Sequence, residues 1–251
     1  MSGFSDVDRS LRPDDLLTYL DQTDGFMVAF KAYVVAAARR YVPGGRVLDL
    51  GCGVGHDLVR LRDAGLVAVG LDPSRLALTR ARTTGAPLVQ GDGARLPFVD
   101  SSFDGCRIER VLQHVDDPGV VLDEVVRVVR PGGLIAVLEP DHTSLRVESE
   151  LGADLLSRCV TVRHPAAGAQ VADLLRARGC VVDDVVTELS FGYELTGIPV
   201  AAERTTELAV NAGTLDPLVR DAWLDEQRRR TEAGTFRASW PKVLVVARAP
   251  L

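Results

Sequence analysis

Residues 46–58, RVLDLGCGVGHDL, decide the fold. Val47, Leu48 and Leu50 form a short apolar strand, Gly51, Gly53 and Gly55 follow in a turn, and a helix begins at His56. A strand, a glycine turn and a helix in that order bring bare backbone against a nucleotide-like ligand. Glycine takes positive φ freely and carries no Cβ. The first N–H groups of a helix have no partner within it and face whatever lies before them.

Outward from that turn, the pattern repeats. The spacing predicts a helix over His56–Ala64, closed by Gly65, and a strand over Leu66–Leu71 that ends in Asp72. A helix over Ser74–Arg82 and a strand over Leu88–Gln90 lead to Gly91-Asp92-Gly93. A fourth strand lies within Phe103–Arg110. Pro118–Val129 is amphipathic, with Val121, Leu122, Val125, Val126 and Val129 on one side, and Pro131-Gly132-Gly133 stops it. A fifth strand, Leu134–Leu138, runs into Glu139-Pro140-Asp141-His142. Apolar strands alternating with helices predict a mostly parallel sheet covered on both faces. Ligands bind such sheets outside the carboxyl ends of the strands. Gly51, Asp72, Asp92, Glu109–Arg110 and Asp141–His142 all fall there.

The flanks are less regular. Asp14–Tyr41 reads as one or two helices with Leu16, Leu17, Leu20, Phe26, Phe30, Tyr33, Val34 and Ala37 as an apolar stripe. Preceding the first strand, this piece is expected to lie over the open face as a lid. Pro165–Arg178 is predicted helical. Val181–Phe191 and Lys242–Arg248 are predicted strands, paired like a hairpin at one sheet edge. Between them, Glu194–Glu232 reads as helix broken at Pro199 and Pro217.

Composition narrows the function classes. The 251 residues are 46% hydrophobic and 25% charged, ordinary for a globular chain, with a net charge of -6. The acidic pI of about 5.3 disfavours nucleic acid as a partner. The run Arg228–Arg230, after Asp225 and Glu226, reads as a solvated helix face. Cys52, Cys106, Cys159 and Cys180 lie far apart without CxxC spacing, so no metal site or disulfide framework is expected. No apolar run is long enough to span a membrane and the N-terminus lacks a signal peptide's apolar stretch, so a cytoplasmic location is expected.

The turn itself discriminates between ligands. A dinucleotide fingerprint requires G-x-G-x-x-G, and His56 occupies the third-glycine place. Asp49 before the turn would crowd a pyrophosphate and suits a cationic amino group better. A ribose, an adenine and an ammonium without phosphates fit these residues.

VLDLGCGVGHDL, GLDPS, QGDGARLPF, FDGCRIERVLQHV and VVRPGGLIAVLEPD, in that order and spacing, resemble the successive motifs of class I S-adenosylmethionine-dependent methyltransferases. The similarity spans about residues 45–142, with weaker resemblance to about residue 191, and is nearest to the ubiquinone/menaquinone-type subgroup, which includes many small-molecule enzymes of bacterial secondary metabolism. It implies an α/β, Rossmann-like, doubly wound fold. The sheet would be mostly parallel and seven-stranded, with an antiparallel last strand. One domain would cover residues 1–251, with a helical lid at 14–42, a cofactor core at 45–142 and substrate-side elements at 143–251.

The resemblance also implies residue roles, with S-adenosylmethionine as donor and S-adenosylhomocysteine as product. Asp49 and the backbone of Gly51, Cys52 and Gly53 would hold the methionine part. Asp72, beside Pro73, would accept the ribose hydroxyls, since a carboxylate offers two acceptor oxygens. Asp92, with the backbone of Gly93 and Ala94, would hold the adenine. Glu109 and Arg110 would line the methionine end mainly through backbone. Lys31 or Arg39 would pair the cofactor carboxylate, or else be plain surface charges. Asp72-Pro73-Ser74 also reads as a helix cap and Asp92-Gly93 as a turn; their joint placement at neighbouring strand ends argues for the site.

Methyl transfer is an in-line displacement that alignment alone promotes, with a base useful for a hydroxyl or an acidic carbon. His142, oriented by Asp141, is the expected acceptor-side base. His114 is either a second one or a packing residue, and His164 reads as a cap or surface group. The acceptor pocket is expected from Tyr19, Phe26, Phe30 and Tyr33, the loop after the fifth strand, and the segment around Tyr193–Thr206. That apolar set suits a small hydrophobic molecule. An alternative is a cofactor-binding protein, or a repurposed enzyme, that transfers no methyl group.

Overall fold

The computed structural model describes residues 7–9, 13–24, 28–195 and 201–251. The glycine turn sits between β1 (Arg46–Leu50) and α3 (His56–Asp63), as the sequence predicts. β2 (Val67–Asp72), α4 (Arg75–Ala81), β3 (Leu88–Gln90), β4 (Phe103–Glu109), α5 (Pro118–Val128) and β5 (Val129–Pro140) continue the alternation. Ahead of them lie α1 (Pro13–Thr23) and α2 (Val28–Tyr41). After them come a two-residue β6 (Arg146–Val147), α6 (Leu155–Cys159), α7 (Ala167–Arg176), β7 (Val181–Gly192), α8 (Ala202–Asn211), α9 (Pro217–Glu232) and β8 (Ala238–Arg248).

The sheet order is β3-β2-β1-β4-β5-β8, with β6 and β7 both paired to β8. Pairs among β1–β5 are parallel, and β8 is antiparallel to β5, β6 and β7. The sequence order reverses between β1 and β4, which opens a crevice at their carboxyl ends. Seven principal strands and an antiparallel last one agree with the expected fold.

Local chemistry explains the elements. Asp117 accepts from the N–H of Gly119 and Val120, and Pro118 starts α5 where its missing N–H costs nothing. Ser74 accepts from Ala77 N and caps α4. The alternating sides of the strands feed two core layers. Leu48, Leu50 and Ile108 pack with Val121, Val125 and Val171 on one face, and Val47, Ala68 and Leu244 pack with Phe30, Val34 and Leu58 on the other. A third cluster, with Trp223, Phe236 and Trp240, holds α6, α8 and α9 against the start of β8.

Several expectations are corrected. Pro131-Gly132-Gly133 is not a stop between helix and strand: α5 ends at Val128, Val129 is already extended, and β5 runs through the Pro-Gly-Gly stretch. A register shift absorbs it, since Phe103 faces Val129 whereas Gly105 faces Leu134. β7 and β8 pair, but β8 is an inner strand between β5 and β7. Pro217 begins α9 with Asp216 as its cap, and so starts a helix where a break was expected. Pro199 lies outside the described residues. None of the helices among the described residues is long and apolar enough to cross a membrane.

Candidate active site

A cleft of about 1140 Å³ opens at the carboxyl ends of β1–β5. Gly51, Cys52, Gly53, Asp72, Pro73, Asp92, Gly93 and Ala94 line one end, and Glu109, Arg110, His114 and His142 line its middle. Gly51 is required by both its backbone and its neighbour. Its φ is 74°, and a Cβ there would press into Val111 Cγ2. Gly55, at φ 90°, caps α3, where a Cβ would stand 2.8 Å from Thr84 Cγ2. Asp72 ties the turn to the next helix, accepting from Gly53 N at 2.9 Å and Ser74 N at 2.8 Å. Burial raises its pKa against those two N–H groups. Asp92 accepts from Ala94 N at 2.9 Å in a tight turn. Both carboxylates also face the cleft, so the cap and turn roles coexist with lone pairs available to a ligand.

Below the turn lies a buried ionic cluster. Arg107, on central β4, reaches Asp49 at 2.5 Å and Asp57 at 2.6 Å, and also pairs with Glu109. Lys31 of α2 pairs with Asp57 at 2.5 Å, Glu109 at 3.0 Å and Asp24 at 3.2 Å. Arg60 closes the ring to Asp24 and Asp57. Lys31 is therefore no plain surface charge: it is buried, engaged by three carboxylates, and part of the cleft lining. Arg39 is exposed and does not line the cleft. Asp49 does not line the cleft either. It is fully buried, and its Oδ2 finds no hydrogen bond among the described residues. Burial pushes its carboxyl up to about 6, opposed by Arg107. Its side chain meets the Arg107 guanidinium in this structure. Glu109 acts through its carboxylate in this cluster rather than through backbone alone.

The histidines depart from the expected base arrangement. His142 Nε2 lies 2.8 Å from Gln113 Oε1. An amide oxygen only accepts, so the proton sits on Nε2. Burial holds His142 down at about 4, against the pull of Asp141. Asp141 does not line the cleft: its oxygens accept from Thr143 N, Thr143 Oγ1 and Ser144 Oγ and cap the turn at residues 142–144. The expected Asp141–His142 side-chain partnership is thus not made. His114 does line the cleft, and burial, His142 and Arg110 hold it at about 3. His164 Nε2 donates to the carbonyls of Val115 and Asp116 and pins a loop, a tie that the cap or surface reading did not include.

Of the expected acceptor pocket, Tyr19 of α1 lines the cleft, whereas Phe30 and Tyr33 do not. Phe30 packs into the core layer of α2, and Tyr33 is exposed with its hydroxyl donating to Asp184. Phe26 lies outside the described residues. The segment around Tyr193–Thr206 contributes Ala201, Arg204 and Thr205, with Leu208 just beyond it. Sequence reasoning missed Trp240 and Lys242, both in the cleft wall from β8. Their two-residue spacing puts them on one face of the strand, a signal hidden by reading the strand as beginning at Lys242.

A doubly wound sheet with a glycine turn and carboxylates at its second and third strand ends defines a nucleoside-binding enzyme fold. Residues 48–137 match the family model described as a methyltransferase domain. Over 97% of its length the chain is 38% identical to 74% of an uncharacterized 37.1 kDa protein in transposon Tn4556 of Streptomyces fradiae. It is 37% identical, over 54% of its length, to a demethylmenaquinone methyltransferase of Corynebacterium kroppenstedtii, of which it spans 62%. The structure of Haemonchus contortus phosphoethanolamine N-methyltransferase 2 in complex with S-adenosyl-L-methionine superposes with a TM-score of 0.60 at 17% identity. The match covers 100% of this chain and 60% of that one. The chain belongs to the class I S-adenosylmethionine-dependent methyltransferases.

Proposed function

We propose that this methyltransferase acts in the cytoplasm on a small hydrophobic acceptor, held between α1, α8 and the β5–β8 wall. The observation that carries this reading is the continuity of the cleft. It runs from Asp72 and Asp92 past His114 and His142 to Trp240 and Leu208, leaving a space beyond the strand ends that a nucleoside would use, walled by Val160, Val162, Ala201, Leu208 and Trp240 with a few cations among them. The likeness to enzymes named for demethylmenaquinone supports a hydrophobic acceptor.

The residues present fit the donor. Asp72 offers carboxylate oxygens for a ribose diol, Asp92 an acceptor for an adenine amino group, and the turn at Gly51–Gly53 bare backbone for the methionine part. The donor, when bound, supplies an electrophilic methyl carbon on a sulfonium sulfur. The chain's part is alignment and exclusion of water. Tyr19 and Trp240 wall the acceptor side. His114 and His142, held neutral by burial, present hydrogen-bonding edges there rather than strongly basic ones.

Incubating the protein with donor labelled in its methyl group and a host extract, followed by separation of small molecules from macromolecules, tests the reading. Label in a low-mass, organic-extractable product is expected. Label confined to protein or nucleic acid would refute it.

A further inference from the structure

The cleft segregates charge. Its carboxylates lie on the cofactor half, on α1 and on the loop after β4: Asp8, Asp72 and Asp92 at one end, Asp15 on α1, Asp24, Asp57 and Glu109 in the ionic cluster, Asp116 and Asp117 on the loop. The wall contributed by residues beyond Glu139 carries no acidic residue among those described, but it does carry Arg163, Arg204 and Lys242. Arg163 is paired to Asp116. Lys242 is 2% exposed, at the carboxyl end of the sheet, where its partner in register is Pro140 of β5. Glu188 of β7 stands 3.7 Å from its ammonium and is itself half-buried. Arg110, in the same lining, pairs with Glu109 at 3.5 Å and is close enough to repel Lys242 and to act on His114, while Glu109 and Glu188 attract Lys242.

Arg110 is held in an unusual backbone state. Its φ is 56°, left-handed for a residue with a full side chain, and its N–H donates to Leu138 O at 2.9 Å. Such a conformation costs energy and persists where the surroundings enforce it, most often at ligand sites. Two cations, Arg110 just after β4 and Lys242 on β8, thus border one cavity, whose lining also includes Trp240 and two neutral imidazoles. Neither imidazole is suited to remove a proton from an ordinary phenol. With His142 near 4 and an unperturbed phenol near ~10, that transfer is unfavourable by roughly six powers of ten. Cations near a phenolic or enolic oxygen instead favour its ionised form directly.

Resting on the methyltransferase reading above, we propose that Lys242, with Arg110, binds an ionised oxygen of the methyl acceptor, so that the acceptor is an acidic hydroxy-aromatic or enol taken up as its anion. Lys242 and Arg110 then set specificity, with Trp240 as the apolar wall for the flat ring. The order of effects follows from burial. Lys242, almost wholly shielded from water, dominates, and Arg204 at the exposed mouth adds little.

Calorimetry on the full chain saturated with S-adenosylhomocysteine tests this with 4-nitrophenol, above its own pKa, against 4-nitroanisole. The two have the same ring, and only the first can carry the anion. Nitrophenolate is expected to bind at least about tenfold more tightly. Lys242→Met should abolish that preference, Lys242→Arg should restore most of it, and S-adenosylhomocysteine affinity should stay unchanged in both. Equal affinities, no saturable binding of nitrophenol, or a preference that survives Lys242→Met would each overturn the proposal. Failure of the wild-type chain to bind S-adenosylhomocysteine would instead sink the methyltransferase reading, and the proposal with it.

Discussion

Arg107 and Asp49 lie side by side on neighbouring central strands, their charged atoms 2.5 Å apart and both side chains shielded from solvent. The register pairs the two residues directly. Ionised groups buried so deeply are tolerated only in company, and Arg107 accompanies three carboxylates at once. Removing it strands them in a medium that solvates them poorly. Arg107→Met is expected to destabilise the chain by about 3–5 kcal/mol, read from urea unfolding at neutral pH. Asp49→Asn should cost much less, because Lys31 still balances Asp57 and Glu109. Equal losses in the two variants would contradict this account.

Glu139 gives a pH dependence of the opposite kind to most carboxylates. Its Oε1 accepts from Val111 N at 2.6 Å and Leu112 N at 2.7 Å, while Oε2 has no hydrogen bond among the described residues. Burial pushes it up to about 8 from its ordinary 4.5. The folded chain therefore keeps a proton that the unfolded chain has lost. This stabilisation is complete below about 4.5 and disappears as pH rises through about 8. Wild-type stability should fall by up to ~1.4 kcal/mol per pH unit in that window from this group. Glu139→Gln, a neutral isostere, should flatten the fall between pH 6 and 9. Parallel curves for the two proteins would show that Glu139 ionises normally.

The two cleft histidines govern the acid side. Both are depressed in the fold, to about 3 for His114 and about 4 for His142. Their contribution is present above ~6.5, the unfolded value, and is lost as pH falls through 4 and then 3. His142→Gln should soften acid unfolding between pH 6 and 4, followed by near-ultraviolet circular dichroism. An unchanged acid midpoint would argue that His142 protonates freely.

Gly51 and Val111 form a testable pair. An alanine at residue 51 must adopt φ 74° and press into Val111 Cγ2. The first term alone is worth about 1–2 kcal/mol. Gly51→Ala should lower both stability and S-adenosylhomocysteine affinity, and adding Val111→Ala should recover the steric part only. No recovery in the double variant would mean that the backbone term accounts for the whole loss.

Asp72 and Tyr33 separate the cofactor end from the outer surface. Asp72→Asn keeps one acceptor oxygen and loses the charge. S-adenosylhomocysteine affinity should drop roughly ten- to a hundredfold by calorimetry, the scale of one charged hydrogen bond. Tyr33→Phe removes an exposed bond to Asp184 and should change stability by less than about 0.5 kcal/mol, with turnover unaffected. A large activity loss in Tyr33→Phe would restore it to the acceptor pocket.

The cofactor half of the cleft was legible in the sequence because its chemistry lies on local signals. Gly51 and Gly53, Asp72 and Asp92 each sit where a short apolar run ends, and topology then gathers those ends. The acceptor half was not legible. Lys242 and Trp240 reach the cleft only because β8 inserts beside β5, a pairing across about a hundred residues that no local pattern announces. Arg107 hides in FDGCRIE, a strand whose place in the sheet no local pattern gives, and it proves to be central. Tyr33 shared the stripe of α2, yet the helix turns it to solvent while Phe30 and Val34 face the core. Asp141 illustrates the converse. Its place at a strand end suggested chemistry, but Thr143 and Ser144 just after it claim the carboxylate as a cap.

The insertion of β8 has a consequence for how the protein is made. On a nascent chain emerging from the ribosome, β1 to β5 can assemble while residues 238–248 are still in the exit tunnel. Until then β5 presents a bare edge whose residues Leu134–Leu138 are all apolar or small and destined for burial between strands. β7 waits as well, because among the described residues its ladder runs only to β8. An open apolar edge of this kind is a template for pairing with other chains. A chain stalled short of β8 is therefore expected to be an early client of chaperones and prone to aggregation, and synthesis of one late strand closes the edge and docks β7 together.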